Sequence, residues 1–150
     1  MTDQGEARQV VVAGVDGSAE SIAALSWAAR YATATGATVR AVRAWHYPGA
    51  VGGPPMEKAP AAIHAETEQR ISADLAAAVA KAQPDGSAAT VETAVSYGHP
   101  AEVLIEESKH ADLLVVGSHG HGRFTGMLVG SVSIHCINHA SCPVVVVRSR

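Results

Sequence analysis

Five glycines lie within fourteen residues of the C-terminal third of the chain, in the stretch DLLVVGSHGHGRFTGMLVGS at residues 112–131. An aliphatic run precedes them, and a segment with helical spacing follows Gly130-Ser131. Glycine lets backbone N–H groups approach an anion without a Cβ in the way. A helix that starts after such a loop adds unpaired N–H groups and the positive end of its dipole. The stretch predicts a phosphate-binding loop, and a plain glycine-rich surface loop is the alternative.

Length and composition indicate one folded domain covering residues 1–150. The chain is 47% apolar and 17% charged, without a low-complexity tract. Its net charge is −3 and its eleven Lys and Arg residues are scattered, which argues against nucleic acid as a partner. The polar N-terminus does not resemble a signal peptide, and no apolar run is long enough for a membrane span. Two cysteines without metal-ligand spacing fit a reduced, cytoplasmic protein.

The elements that must position the loop alternate along the chain. The expected strands are residues 9–15, 37–45, 90–95, 113–116 and 143–148. The expected helices begin at the cap residue Ser18, at Ala61, at Gly98 with Pro100, and after the glycine loop. Alternation of this kind predicts an α/β fold, with a parallel sheet covered by helices on both faces. A Pro- and Gly-rich stretch at residues 46–60 separates the second strand from the second helix. It is either a plain connector or a functional loop, which could serve as a lid or a partner surface.

A carboxylate at the end of the first strand is the second candidate for chemistry. Asp16 follows the run QVVVAGV, and parallel sheets bind ligands beyond the C-terminal ends of their strands. If the first and fourth strands are neighbours, Asp16 and the glycine loop share one crevice. Asp16 then suits ribose hydroxyls or a metal ion bound to phosphate, and an Asx turn or helix cap is the alternative.

Several nucleotide fingerprints are absent. The first strand is not followed by GxGxxG, and Gly130 is followed by Ser131 rather than by the lysine of a Walker loop. The paired acids of a receiver domain and the Ser/Thr-rich loop of a flavodoxin are also missing. Two loop histidines without a third ligand, His119 and His121, are weak evidence for a metal site, so no metal-binding residue is expected.

The remaining pattern, Gly117-(two residues)-Gly120-(nine residues)-Gly130-Ser131, resembles the signature of the ATP-binding branch of the universal stress protein family. The resemblance covers nearly the whole chain. It includes Val15-Asp16-Gly17-Ser18, Gly98 with Pro100, the segment at residues 111–118 and the ending at residues 139–148.

The resemblance implies a doubly wound five-stranded sheet in the order 3-2-1-4-5, similar to the adenine-nucleotide alpha-hydrolases. It also implies a nucleotide site. Asp16 and Gly117 would lie by the ribose, and Val42 or its neighbours would offer backbone groups to adenine. The phosphates would be held by Gly120, Gly130 and Ser131, with the Val132 N–H nearby. Arg123 either reaches a phosphate or is solvated.

The resemblance further implies ATP, with Mg²⁺, as ligand and a homodimer formed through the fifth strand. That strand carries Val144, Val145, Val146 and Val147, and a covered edge is the alternative. No catalytic residue is expected, because the loop lacks the lysine and positioned base of fast phosphoryl transfer. We therefore expect a nucleotide-dependent stress-response sensor or regulator with an unidentified protein partner. A slow ATPase or phosphotransferase, a binder of cyclic AMP or AMP, and a partner-binding domain with an empty loop are the alternatives.

Overall fold

A computed structural model describes residues 7–47, 60–83, 89–119 and 129–148. The strands are β1 (Val10–Gly14), β2 (Thr38–Trp45), β3 (Val91–Tyr97), β4 (Leu113–Gly117) and β5 (Val144–Val147). The helices are α1 (Ala19–Thr35), α2 (Ala61–Ala82), α3 (Pro100–Ser108) and α4 (Ser131–His139).

The strands form one parallel sheet in the order β3-β2-β1-β4-β5, which confirms the expected fold and strand order. The first strand is therefore central and pairs with β2 on one side and β4 on the other. The strand expected at residues 90–95 extends to Tyr97, because its pairing with β2 continues as far as Trp45 opposite Tyr97.

Two apolar layers enclose the sheet, and alternate residues of β1 point into each. Val11 and Ala13 are completely buried on the side of α1 and α2, where Leu25 and Leu75 also lie. Val12 faces the other layer, which α3 and α4 supply. Burial on both faces explains the unbroken apolar runs of the central strands.

Local chemistry sets both ends of α1. The Ser18 hydroxyl accepts a hydrogen bond from the Ser21 N–H at 3.2 Å, so it caps the first turn as the sequence predicted. Gly36 ends the helix with φ +78°, a left-handed conformation that L side chains rarely adopt. Because Ser18 caps its first turn, α1 starts only a few residues after the end of β1.

Two sequence interpretations concern other parts of the chain. Most of the stretch predicted as a lid or partner surface, residues 48–59, lies outside the described residues. Across the described ranges, no helix combines the length and apolar character needed to cross a membrane.

Candidate functional site

The ends of β1 and β4 meet at one edge of the sheet, as the crevice hypothesis required. Ala13 is paired with Val115, so both strands finish at the same level. Gly117, the last residue of β4, lies directly against the first turn of α1. A Cβ built on Gly117 would lie 2.9 Å from the carbonyl carbon and oxygen of Glu20. Only glycine allows this approach, which holds the loop after β4 beside the loop after β1.

Asp16 is fixed by its own turn. Its Oδ1 accepts hydrogen bonds from the Ser18 N–H at 2.9 Å and from the Ser18 hydroxyl at 2.5 Å. The Gly17 residue between them has φ +86°. The Asx-turn alternative is therefore present in the structure. Asp16 is half-buried directly beyond the end of β1, and the turn fixes the position of its carboxylate there.

The N-terminus of α4 is built differently from that of α1. Gly130 is its N-cap and supplies no side-chain hydrogen bond, and the first turn holds no acidic residue. The first intrahelical bond runs from the Ile134 N–H to the Gly130 carbonyl at 3.0 Å. The N–H groups of residues 131–133 precede that bond and point out of the helix end. This end of the helix favours an anion.

Three further hydrogen bonds connect the end of β4 with the start of α4 and with β5. The Gly130 N–H donates to the Ser118 carbonyl at 2.5 Å, and the Ser118 N–H donates to the Val147 carbonyl at 2.9 Å. The hydroxyl of Ser133 donates to the Gly117 carbonyl at 2.6 Å. Both ends of the glycine loop are therefore anchored to the same point of the sheet. The sequence analysis missed Ser133, although a serine in the buried face of a helix is a signal for such a bond.

Val42 lies in the core, with a side chain only 1% exposed. The Val42 carbonyl accepts a hydrogen bond from the Val15 N–H at 2.9 Å, so this carbonyl is already used in the contact between the β1 segment and β2. Strand residues two apart direct their backbone groups to the same side. Ala44 therefore directs its N–H and C=O toward the β1 side, beyond this last bond between the two strands. Of the neighbours of Val42, Ala44 is the one with backbone groups facing the crevice.

The structure does not describe every predicted site residue: Gly120, His121 and Arg123 lie outside the described residues. Nδ1 of His119 is 3.2 Å from the Ser118 hydroxyl. Within the described ranges, no three His, Cys, Asp or Glu side chains lie close enough together to hold a metal ion.

The sheet order defines a doubly wound α/β protein, a class in which ligands commonly bind where the strand order reverses. The sequence model of the Universal stress protein family matches residues 7–148, and the chain belongs to that family. The resemblance noted in the sequence is thereby confirmed.

Similar proteins and solved structures support the same family assignment. A universal stress protein of Mycolicibacterium smegmatis is 39% identical over 147 residues, covering 97% of this chain and 47% of the relative. The chain spans about half the length of the curated relatives it matches.

A crystal structure of a universal stress protein in complex with cAMP is 30% identical, with a TM-score of 0.65, covering 94% of this chain and 97% of the other. The structure of hypothetical protein MJ0577 has a TM-score of 0.72 at 19% identity, covering 95% of this chain and 96% of the other, and shares the fold.

Proposed function

We propose that the chain binds an adenine nucleotide, ATP with Mg²⁺, in the crevice between the ends of β1 and β4. The observation that carries the proposal is the N-terminus of α4, which has neither a side-chain cap nor an acidic residue in its first turn. Such a helix end stabilises an anion through its dipole and outward N–H groups. The relative that is 30% identical and was solved in complex with cAMP supports a nucleotide as that anion.

Each part of the nucleotide has a candidate partner. The phosphates would be held by Gly130 and by the backbone N–H groups of Ser131 and Val132, together with Gly120. Asp16 would accept hydrogen bonds from ribose hydroxyls, with Gly117 close by. Backbone groups of the β2 end, at Ala44 rather than Val42, would recognise adenine. Arg123 stays a candidate for a phosphate contact.

Bound Mg²⁺ would be held largely by the phosphates. This ion keeps several waters and usually takes one or two carboxylates besides phosphate oxygens. Asp16 is a carboxylate at this edge, which fits such a site. The metal would neutralise part of the phosphate charge.

The nucleotide proposal is tested with Asp16→Asn. An asparagine Oδ1 can still accept from the Ser18 N–H, so the turn is kept while the charge is lost. We expect ATP in the denatured extract of the purified wild-type protein and an affinity for ATP-Mg²⁺ weaker by about tenfold or more in the variant, the loss typical of a hydrogen bond to a charged group. Chromatography of the extract and calorimetric titration measure the two quantities.

Glu106→Gln is the matched control, since it removes an exposed carboxylate on α3, far from this edge. It should bind ATP as the wild type does. A wild type that carries no nucleotide and shows no thermal shift with ATP-Mg²⁺ would contradict the proposal and leave a partner-binding domain.

Cyclic AMP is the second candidate ligand, favoured by the cAMP complex of the 30% identical relative. A single phosphate would use only part of the glycine loop. Thermal shifts with ATP-Mg²⁺, AMP and cyclic AMP at equal concentration separate the candidates. A shift with cyclic AMP or AMP alone selects the second candidate.

The role we propose is that of a nucleotide-dependent stress-response sensor or regulator. The protein would act in the cytoplasm as a homodimer, and its nucleotide state would change the surface offered to a regulatory protein. Slow hydrolysis is the enzymatic alternative. Phosphate release above that of a Gly130→Ala control would favour it.

A further inference from the structure

The second half of α4 carries two histidines on one side of the helix. His135 and His139 are four residues apart, and residues with this spacing are neighbours on a helix surface. Their ring centroids lie 5.2 Å apart, with an angle of 42° between the ring planes. Both residues are exposed. The sequence analysis considered His119 and His121 and did not single out this pair, although its spacing is a local signal.

The two rings have no partner but each other in the described part of the chain. Within the described ranges, neither imidazole takes part in a hydrogen bond or an ion pair. A neutral imidazole has one nitrogen that donates and one that accepts. Each ring therefore keeps an accepting nitrogen that no described residue uses. Two such nitrogens on one helix surface are available to a ligand from outside the chain.

The distance between the rings fits one shared metal ion. An imidazole nitrogen lies about 2.0–2.1 Å from bound Zn²⁺, so two imidazoles in a tetrahedral site have ring centroids roughly 5 Å apart. The observed separation of 5.2 Å agrees with this value. Histidines at positions i and i+4 of a helix also bind zinc together in metalloproteases. The backbone of α4 thus sets the spacing that a chelated ion requires.

The charge distribution of α4 favours a cation at this end. His139 lies in the last turn, where the helix dipole has its negative end. The helix, SVSIHCINH, contains no lysine or arginine that would repel a metal ion. The two ends of α4 therefore favour opposite charges, with an anion at Gly130 and a cation near His139.

We propose that His135 and His139 chelate one divalent transition metal ion, for which Zn²⁺ is the probe. Within the described ranges, no third His, Cys, Asp or Glu side chain completes the site. Water would fill the remaining positions, so the ion would exchange with solution, unlike structural zinc with its four protein ligands. The inference does not depend on the proposed nucleotide function.

The experiment titrates Zn²⁺ into tag-free protein without nucleotide and follows the eight histidine rings by NMR. We expect the ring signals of His135 and His139 to shift together in a saturable way, with one ion per chain by calorimetry. Mg²⁺ at the same concentration should not shift these two signals, because it prefers oxygen ligands.

His139→Gln is the discriminating variant. It removes one ligand, so Zn²⁺ affinity should fall by about tenfold or more, at least the loss typical when a residue supporting a metal ligand is removed. A spacing variant, Ile137→His combined with His139→Gln, keeps eight histidines but places two of them at i and i+2, where side chains do not face each other. It should bind Zn²⁺ as weakly as His139→Gln. Circular dichroism checks that both variants are folded.

His99→Gln is the matched control, because it removes one ring of another histidine pair, in which His46 stacks on His99 at 4.4 Å. It should bind Zn²⁺ as the wild type does, and so should Asp16→Asn. Loss of binding in either would assign the ion to another place and overturn the proposal. Unmoved ring signals of His135 and His139 at millimolar Zn²⁺ would also overturn it, as would unchanged affinity in His139→Gln. One ion per two chains would contradict a site completed by water.

Discussion

At the scale of single residues, burial decides the chemistry of the two cysteines. Cys136 is completely buried on α4, and burial raises the pKa of its thiol to about 11. Cys142 is half-buried, and burial together with the nearby Asp112 carboxylate raises the pKa of its thiol as well. A raised pKa means less thiolate, which is the reactive form. Neither environment suits a redox-sensing thiol.

Thiol modification at pH 8 tests this reasoning. We expect a disulfide reagent to modify Cys142 more slowly than free cysteine, and Cys136 only after unfolding. Asp112→Asn should accelerate modification of Cys142, because the nearby negative charge is lost while an oxygen that can accept from the Val10 N–H is kept. Cys136→Ala isolates the signal of Cys142. A Cys142 that reacts in the folded protein at the rate of free cysteine would refute the expectation.

The same burial has a consequence for stability. The pKa of Cys136 is raised on folding, from 9.0 to about 11, so the folded state holds the proton more tightly. The stabilising contribution is complete below pH 9 and is lost as the pH rises toward 11.

At the scale of elements, two glycines determine how helices meet the sheet, for different reasons. Gly36 ends α1 with a positive φ, and apart from its own neighbours in the chain no atom of the described residues lies within 4 Å of the place a Cβ would take. Gly117 ends β4, where a Cβ would collide with the backbone of Glu20. One glycine is needed for its conformation and the other for close approach of two elements.

Alanine substitutions separate the two causes. Gly36→Ala should lower the free energy of unfolding by about 1–2 kcal/mol, the cost of a left-handed L residue. Gly117→Ala should lower it by about 1–3 kcal/mol through overpacking. It should also abolish the thermal shift with ATP-Mg²⁺, which Gly36→Ala should retain. Urea denaturation and thermal melts measure these effects, and a Gly117→Ala protein as stable as the wild type would contradict the argument.

At the scale of the whole molecule, β5 is the edge strand next to β4, and no other strand of the described ranges pairs with its outer side, where the proposed homodimer would form. The Pro143 carbonyl accepts a hydrogen bond from the Leu114 N–H. The Val147 carbonyl accepts one from the Ser118 N–H, directly after β4. Backbone groups alternate in direction along a strand, so those of Val144 and Val146 face away from β4. An edge of this kind pairs readily with another strand.

Proline substitutions at neighbouring positions test this dimer. Val146→Pro removes an outward N–H and should give a folded monomer in sedimentation or size-exclusion measurements. Val145→Pro removes an N–H that faces β4 and should destabilise the fold itself. A Val146→Pro protein with unchanged dimerisation would rule out backbone pairing through β5.

Patterns in the sequence predicted most of the strands, turns and caps, because these features depend on residues close together in the chain. The alternation of apolar runs indicated all five strands, and Asp16-Gly17-Ser18 indicated both a turn and a cap. The resemblance supplied the strand order, since alternation alone does not say which strands are neighbours. The same strand order places Asp16 and Gly117 at one edge of the sheet, while the shared role expected of Asp16 and the loop glycines stays a prediction.

Other features depend on strand register and could not be read from local patterns. The contact of Trp45 with Tyr97 requires the pairing of β2 with β3 over seven residues. The direction of the Val42 and Ala44 backbone groups depends on which residue of β2 pairs last with the β1 segment. The Ser133 bond to Gly117 joins residues sixteen apart across the glycine loop.

The central position of β1 has a consequence for the order of events during synthesis. During synthesis β1 can pair with β2 as soon as both have been made, but its other side waits for β4, and the Val10 N–H waits for the Asp112 carboxylate, 102 residues later. Contacts between distant residues form slowly. The crevice lies between the ends of β1 and β4, so it can form only after β4 has been made. The proposed ligand would therefore bind only a chain in which β1 and β4 have already paired.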